Sequence, residues 1–416
     1  MKPSTSICFY FEVHQPYRIR RFRVFDIGGG GSYFDDDSET NLNNVRILKK
    51  VAEKCYLPAN RVLLELLERH PEFKISFSFS GVFLEQVEEL SKEVLESFRA
   101  LVRTGRVEIL DETYHHSLSF LYSREEFIEQ VRLHREAVRR LFGVIPTAFR
   151  NTELIYNNEL AHVAESLGYS AILAEGADHI LGWRSPNFVY RPRGAKTIAL
   201  LLKNYRLSDD IAFRFSSRDW SEYPLRAERY GEWIGAAASS GAKTINLFMD
   251  YETFGEHQWA DTGIFEFMRA LPEVLRRNPR LSFATPTEVA RTIQAEAELD
   301  VPQYISWADI ERDLSAWRSN ELQQDALKQV YELEAPIRAS RDAGLLSDWR
   351  RLQTSDHFYY MCTKWWNDGD VHKYFNPYDS PYEAYIAYMN VLHDMRIRLG
   401  KYRDMSVPKS APVVVY

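Results

Sequence analysis

Residues 6–16 read SICFYFEVHQP, an apolar and aromatic run of strand length that stops on His14. Similar short runs recur at 74–80, 106–110, 147–150, 170–174, 197–202 and 244–249. Amphipathic stretches such as 84–103 and 124–142 lie between them, the second opening with Ser123 and Glu126 at capping-box spacing. Short buried strands alternating with helices are the pattern of parallel βα units, because parallel strands need a crossover. The runs predict an α/β fold, an incomplete (β/α)7 barrel; an open doubly wound sheet is the competing arrangement. From about residue 305 the pattern turns helical, with segments expected at 310–339, 349–366 and 380–399, a C-terminal helical bundle followed by an extended tail at 407–416.

The 416 residues exceed what one hydrophobic core usually serves, so a large domain with an attachment is expected. An apolar content of 45% and a charged content of 27% describe a folded globular chain. Aromatics reach 14%, enough for core packing and contacts between copies, as in a homo-oligomer, with some left to stack on flat sugar faces. A net charge of −7 without a basic tract argues against a nucleic-acid partner. Cys8, Cys55 and Cys362 are widely spaced and form no CxxC pair, which fits reduced thiols in the cytoplasm. No signal-peptide pattern precedes the first strand and no long apolar window occurs, so no membrane partner is expected. The glycine run at 28–31 lacks phosphate-loop spacing and reads as a mobile surface loop, one that could arch over a cleft.

Reactive side chains collect just after the predicted strands: His14, Glu85, His115, His116, Glu153, Asp250 and Glu252. In a parallel barrel those strand ends open on one face, where active sites form. Any one of them alone reads as a surface or satisfied core residue; their recurrence at equivalent positions points to a site. Paired carboxylates with histidines, and no serine or cysteine elbow, suit acid/base chemistry or a metal. Burial of Asp250 at the end of an apolar strand would raise its pKa, as a general acid needs. Retaining glycoside cleavage uses one such acid and one ionised nucleophile. A divalent metal held by His14, His116 and Asp250 is the rival reading on chemistry alone.

Five stretches in order, FEVHQPYR, FSGVFLEQ, FRNTELIYNN, LFMDYETFGEHQW and DLSAWRSNELQ, resemble glycoside hydrolase family 57, in its α-amylase branch. The segment KWWNDGDVHKYFNPYDSPYEAY is similar to that branch as well. The resemblance implies a catalytic (β/α)7 barrel over residues 1–300 and a helical domain over 301–416 that completes the cleft. It implies retention without a catalytic metal or other cofactor, acting on an α-glucan or malto-oligosaccharide. Glu153 matches the family's nucleophile and Asp250 its general acid/base. His14 matches a histidine that hydrogen-bonds the sugar, whereas Glu12 stands where many members carry a second histidine. Glu85, His116, Asp313 and Trp317 match positions lining the cleft, and Glu252 and His257 would brace Asp250 and its loop. Trp183, Trp259, Trp317 and Trp366 are candidates for stacking on glucose, with core packing as the alternative for each. A 4-α-glucanotransferase on the same fold is the first alternative activity, ahead of a branching enzyme. A metal-dependent carbohydrate deacetylase or a non-catalytic glucan-binding protein is the further one.

Overall fold

The computed structural model describes residues 4–38, 40–364 and 375–406. They fall into two compact units, Met1–Pro16 with Val45–Leu314, and Tyr17–Asn44 with Ser315–Tyr416. The split at 314/315, rather than 300/301, leaves a loop after the last short strand with the first unit. The insertion Tyr17–Asn44 joins the second, a grouping that the sequence pattern did not suggest.

The first unit is an incomplete (β/α)7 barrel. Its ring consists of β1 (Thr5–Val13), β2 (Ile75–Phe79), β3 (Val107–Ile109), β4 (Ala148–Arg150), β5 (Ala171–Glu175), β7 (Ala199–Lys203) and β8 (Thr244–Asp250). Parallel ladders join β3, β2, β1 and β8 in that order, and β4, β5 and β7 in theirs. A parallel bridge between Asp111 and Phe149 links β3 to β4. Three further short strands fell outside the predicted set. β6 (Val189–Pro192) runs antiparallel to β7, β9 (Leu281–Phe283) pairs with the start of β1, and β10 (Ala297–Leu299) pairs with β6. They have only three or four residues, too few to show a period.

Between β7 and β8 the described residues form no ladder. Asn204 N–H donates to the Asn246 carbonyl at 2.9 Å, and Asn246 Nδ2 donates to the Leu202 carbonyl at 2.8 Å. Thr244 Oγ1 in turn donates to Asn246 Oδ1 at 2.7 Å. One backbone hydrogen bond and a buried side chain thus take the place of a ladder at this seam.

Strand alternation builds both layers of the core. Phe9, Phe11 and Val13 of β1 pack outward with helix residues such as Leu63 and Phe98. Cys8 and Tyr10 pack instead with Leu110, Leu173, Leu201 and Phe248, the inward-facing set. Continuing each inward row by one step reaches Glu12, Glu112, Arg150, Glu175, Lys203 and Asp250. The apolar filling of the barrel therefore gives way at its C-terminal end to a belt of charge.

Helix boundaries follow local chemistry. Ser123 caps Arg124–Phe142 by accepting from Glu126 N–H at 3.2 Å, and Gly143 ends it in the left-handed region at φ 72°. The predicted helix 84–103 is instead two, Gly81–Leu90 and Lys92–Arg103, broken at Ser91. Residues 305–314 form a loop, and the expected helix 310–339 resolves into Ser315–Arg318, Glu321–Glu332 and Glu334–Ser340. Expected segment 349–366 corresponds to the end of Ala343–Arg351 and to Ser355–Tyr359, and 380–399 to Pro381–Ser406. The tail at 407–416 and Trp366 lie outside the described residues. Within the second unit the glycine-rich insertion is tied down: Asp394 accepts from Gly28 N–H at 2.5 Å and Tyr33 Oη at 2.6 Å. Asn390 Nδ2 also donates to the Phe22 carbonyl at 3.0 Å.

Asn246→Ala should lower stability by roughly 1–3 kcal/mol, because the buried Leu202 carbonyl loses its donor. Chemical denaturation of the two proteins measures it. An unchanged midpoint would mean the seam does not depend on this amide.

Candidate active site

The turn after β4 carries Glu153 in a strained backbone. Glu153 has φ 58° and Leu154 φ 50°, a conformation that non-glycine residues adopt at a cost. Neighbours hold it. Tyr156 and Ile305 exchange backbone hydrogen bonds of 2.9 Å, and Trp307 N–H donates to the Glu153 carbonyl at 3.2 Å. Asn151 Nδ2 donates to the Ile155 carbonyl at 3.1 Å, and the Thr113 and Thr152 hydroxyls pair at 2.8 Å. The carboxylate meets Trp307 Nε1, which donates to Oε2 at 2.8 Å, and His116 Nε2, which lies 3.4 Å from Oε1.

His116 connects this carboxylate to the charged belt. Its Nδ1 lies 3.0 Å from Glu112 Oε2 and 3.2 Å from Glu12 Oε1. Burial works against an imidazolium here, yet Glu12, Glu112 and Glu153 together raise its pKa well above the ordinary value. Arg150, fully buried, pairs with Glu12 and lies 3.6 Å from Glu112. The two carboxylates respond in opposite directions. Burial raises Glu12, whereas at Glu112 burial is outweighed by the His116 hydrogen bond and the Arg150 charge, and the pKa falls to about 2. His14 stacks on His116 with ring centres 4.0 Å apart, and its Nδ1 lies 2.7 Å from Ser80 Oγ.

The opposite arc of the belt is a second network. Arg312 donates to Glu175 at 2.8 Å and lies 3.6 Å from Asp209, while Lys203 Nζ reaches Asp209 at 3.0 Å and Glu175 at 3.6 Å. These pairs anchor the loop 305–313.

Asp250 closes the belt beside Glu12, its register partner on β1. Burial and then the charge of Glu153 raise its pKa to about 6, against the opposing charges of Arg150, Lys203 and His116. Glu153 and Asp250 are thus brought into one electrostatic environment. Glu252, in the turn after β8, is raised further to about 8, chiefly by burial, and accepts from Tyr56 Oη at 2.5 Å. Its carbonyl accepts from His257 N–H at 2.9 Å, and burial depresses the His257 imidazole to about 4.

The remaining expected site residues are placed less uniformly. Glu85, on Gly81–Leu90, accepts from Tyr114 Oη at 3.0 Å. Gly81 is required there, because a Cβ would meet the Tyr114 ring at 2.3 Å. Trp259 is 58% exposed, with Lys54 Nζ 5.2 Å from its ring centre. Asp313 is exposed, and its carbonyl accepts from Ser306 Oγ at 2.6 Å. Trp317 lies in the second unit, buried, so no open ring face is available for stacking. Trp183 is exposed, beside Arg184.

His14, His116 and Asp250 do not form a ligand set among the described residues. Glu12, Glu112 and His116 do come within 4.8 Å of one another, but the Arg150 guanidinium already pairs with both carboxylates. A cation between them would compete with a fixed one.

Arg150, Glu112, Glu175, Lys203 and Trp307 escaped the sequence reading. For the belt residues a signal existed: a charge at the last inward position of an otherwise apolar strand. Trp307 carried none, being 154 residues from Glu153 with no motif around it.

The chain matches the family model described as glycosyl hydrolase family 57 over residues 8–302. It is 44% identical over 401 residues to a Methanocaldococcus jannaschii protein named "Putative alpha-amylase", covering 93% of this chain and 83% of that one. A 4-alpha-glucanotransferase of Thermococcus litoralis is 26% identical over 245 residues, covering 57% of this chain and only 35% of the transferase. Among solved structures, a family 57-type branching enzyme from Pyrococcus horikoshii superposes with a TM-score of 0.69 at 14% identity. That superposition covers 97% of this chain and 92% of the other, a likeness of fold.

Glu153→Gln should lower the Asp250 pKa from about 6, because a neighbouring negative charge is removed while burial is unchanged. Carboxyl-¹³C NMR titration of both proteins tests this. An unmoved Asp250 titration would uncouple the two carboxylates.

Proposed function

We propose an α-glucan-cleaving activity from one premise: the chain belongs to glycosyl hydrolase family 57. It is a glycoside hydrolase by that membership. The proposal extends to α-1,4-glucosidic bonds of starch, glycogen or malto-oligosaccharides, cleaved with retention. The observation that carries it is the difference between the two central carboxyls. Asp250 holds its proton up to about 6, while Glu153 receives the Trp307 N–H and lies against a histidine biased toward its cationic form. Environments that push two carboxyls apart assign acid and nucleophile.

In this mechanism Glu153 attacks the anomeric carbon and Asp250 protonates the departing oxygen. A covalent glycosyl-enzyme forms, and Asp250 then deprotonates the incoming water. His14, Glu85 and Trp259 would contact the sugar, while Glu252 and His257 support the Asp250 loop. A sugar hydroxyl entering in place of water gives 4-α-glucanotransfer by the same steps, a reading favoured by the similarity to the Thermococcus litoralis transferase. The three free, buried thiols fit a cytoplasmic setting, and no helix among the described residues is long and apolar enough to cross a membrane.

Resolving the products of maltoheptaose separates the two activities: shorter sugars alone mean hydrolysis, longer ones mean transfer. Glu153→Ala should abolish turnover, and azide should partly restore it through a single displacement that yields the β-azide. Asp250→Ala should lose about 10²–10⁴-fold on unactivated glucans, yet still glycosylate from a fluoride donor. Azide should then release the α-azide, with net retention. The same azide anomer from both variants would overturn the assignment of roles.

A further inference from the structure

The loop 305–313 lies outside the segments that resemble known motifs except for its last residue, yet it reaches the Glu153 carboxylate. It is fixed at both ends. Ile305 pairs with Tyr156 through two backbone hydrogen bonds, and Arg312 is ion-paired with Glu175 and Asp209. Within the loop, Ser306 N–H donates to the Arg312 carbonyl at 3.1 Å, and Ser306 Oγ donates to the Asp313 carbonyl at 2.6 Å. Trp307 lies between these anchors, partly buried.

Two contacts join Trp307 to Glu153, one from its amide and one from its indole N–H. The amide supports a left-handed backbone that does not hold itself; the indole fixes the carboxylate that this backbone presents. The Arg150 guanidinium and the Lys203 ammonium lie 5.2 and 5.4 Å from the indole ring centre. Cations near an aromatic face draw charge from it, which makes the ring N–H a stronger donor. From the geometry we infer that Trp307 is the positioning residue for the Glu153 carboxylate, holding Oε2 in place and favouring its ionised form. This rests on the reading of Glu153 as nucleophile. A hydrogen bond to a charged acceptor favours the charged form, and it also leaves the opposite oxygen free to be directed elsewhere. Charged groups acting on Glu153 include His116 from the loop after β3, Arg150 of β4 and Asp250 of β8. Trp307 differs from all three in being neutral at every accessible pH.

The test is a direct titration of Glu153 by carboxyl-¹³C NMR, its resonance identified by loss in Glu153→Gln. Trp307→Phe keeps a ring but removes the donor, and should raise the Glu153 pKa by about one pH unit, the scale of one hydrogen bond to a charged group. The acid limb of kcat/KM on maltoheptaose should move up by the same amount, with kcat reduced about 10–100-fold and KM changed less. Should Trp307→Phe fold poorly, benzothienylalanine at position 307 keeps the two-ring shape without the N–H and should give the same shift. An unchanged Glu153 titration in the isosteric variant would overturn the inference. A shifted titration in a protein whose parent cleaves no glucan would leave Trp307 as the holder of Glu153 and remove the glucan reading instead.

Discussion

The arc of charge that faces the Glu153 turn depends on one buried cation. Arg150 lies where the inward row of β4 ends, and it pairs with Glu12 and approaches Glu112, all three buried. Removing charges from water is expensive, and breaking one partner of such a group costs more than forming it gains. The side chains are therefore held in one arrangement. Through Glu12 and Glu112 that arrangement orients His116, and through His116 it reaches Glu153. The same guanidinium also opposes the rise in the Asp250 pKa, so it bears on both central carboxyls.

The belt divides into two arcs with separate tasks. Glu12, Glu112, Arg150 and His116 face the Glu153 turn, whereas Glu175, Lys203, Asp209 and Arg312 fasten the loop that brings in Trp307. The two arcs meet at the Trp307 ring, which has Arg150 and Lys203 near it. A strained turn can be kept at the site because it is bonded on both sides, from the β3 end through Thr113 and from the loop through Ile305 and Trp307.

The strands of the ring were legible in the sequence because each is a short, mainly apolar run bounded by polar residues. Reactive groups at or beyond the ends of those strands, His14, His116, Glu153 and Asp250, could be found by position. The belt was harder, since its residues lie inside the strand patterns: Glu12 falls within FYFEV and Arg150 within AFR. Each looked like an interruption of an apolar run. Counting alternate residues inward from Cys8 or Ala148 would have placed them on the interior face. Residues 310–313 of the loop read as the start of a helix, because Ile310 and the apolar residues after it keep helical spacing. Its true conformation is set by Ser306, Asp309 and Arg312, the last two with positive φ. Such local hydrogen bonding leaves no periodic trace. Trp317 shows the converse, an aromatic suited to stacking that is instead buried.

The left-handed backbone at Glu153 sets stability against selection. An asparagine there would tolerate the conformation more readily and relieve the repulsion felt by Asp250. On backbone strain and charge repulsion, the protein without this carboxylate is favoured. With Glu153 as the proposed nucleophile, glutamate stands at this position for its chemistry rather than for folding. A lineage released from the need to break glycosidic bonds would drift away from it along a favourable gradient, keeping the barrel intact while the reaction disappears.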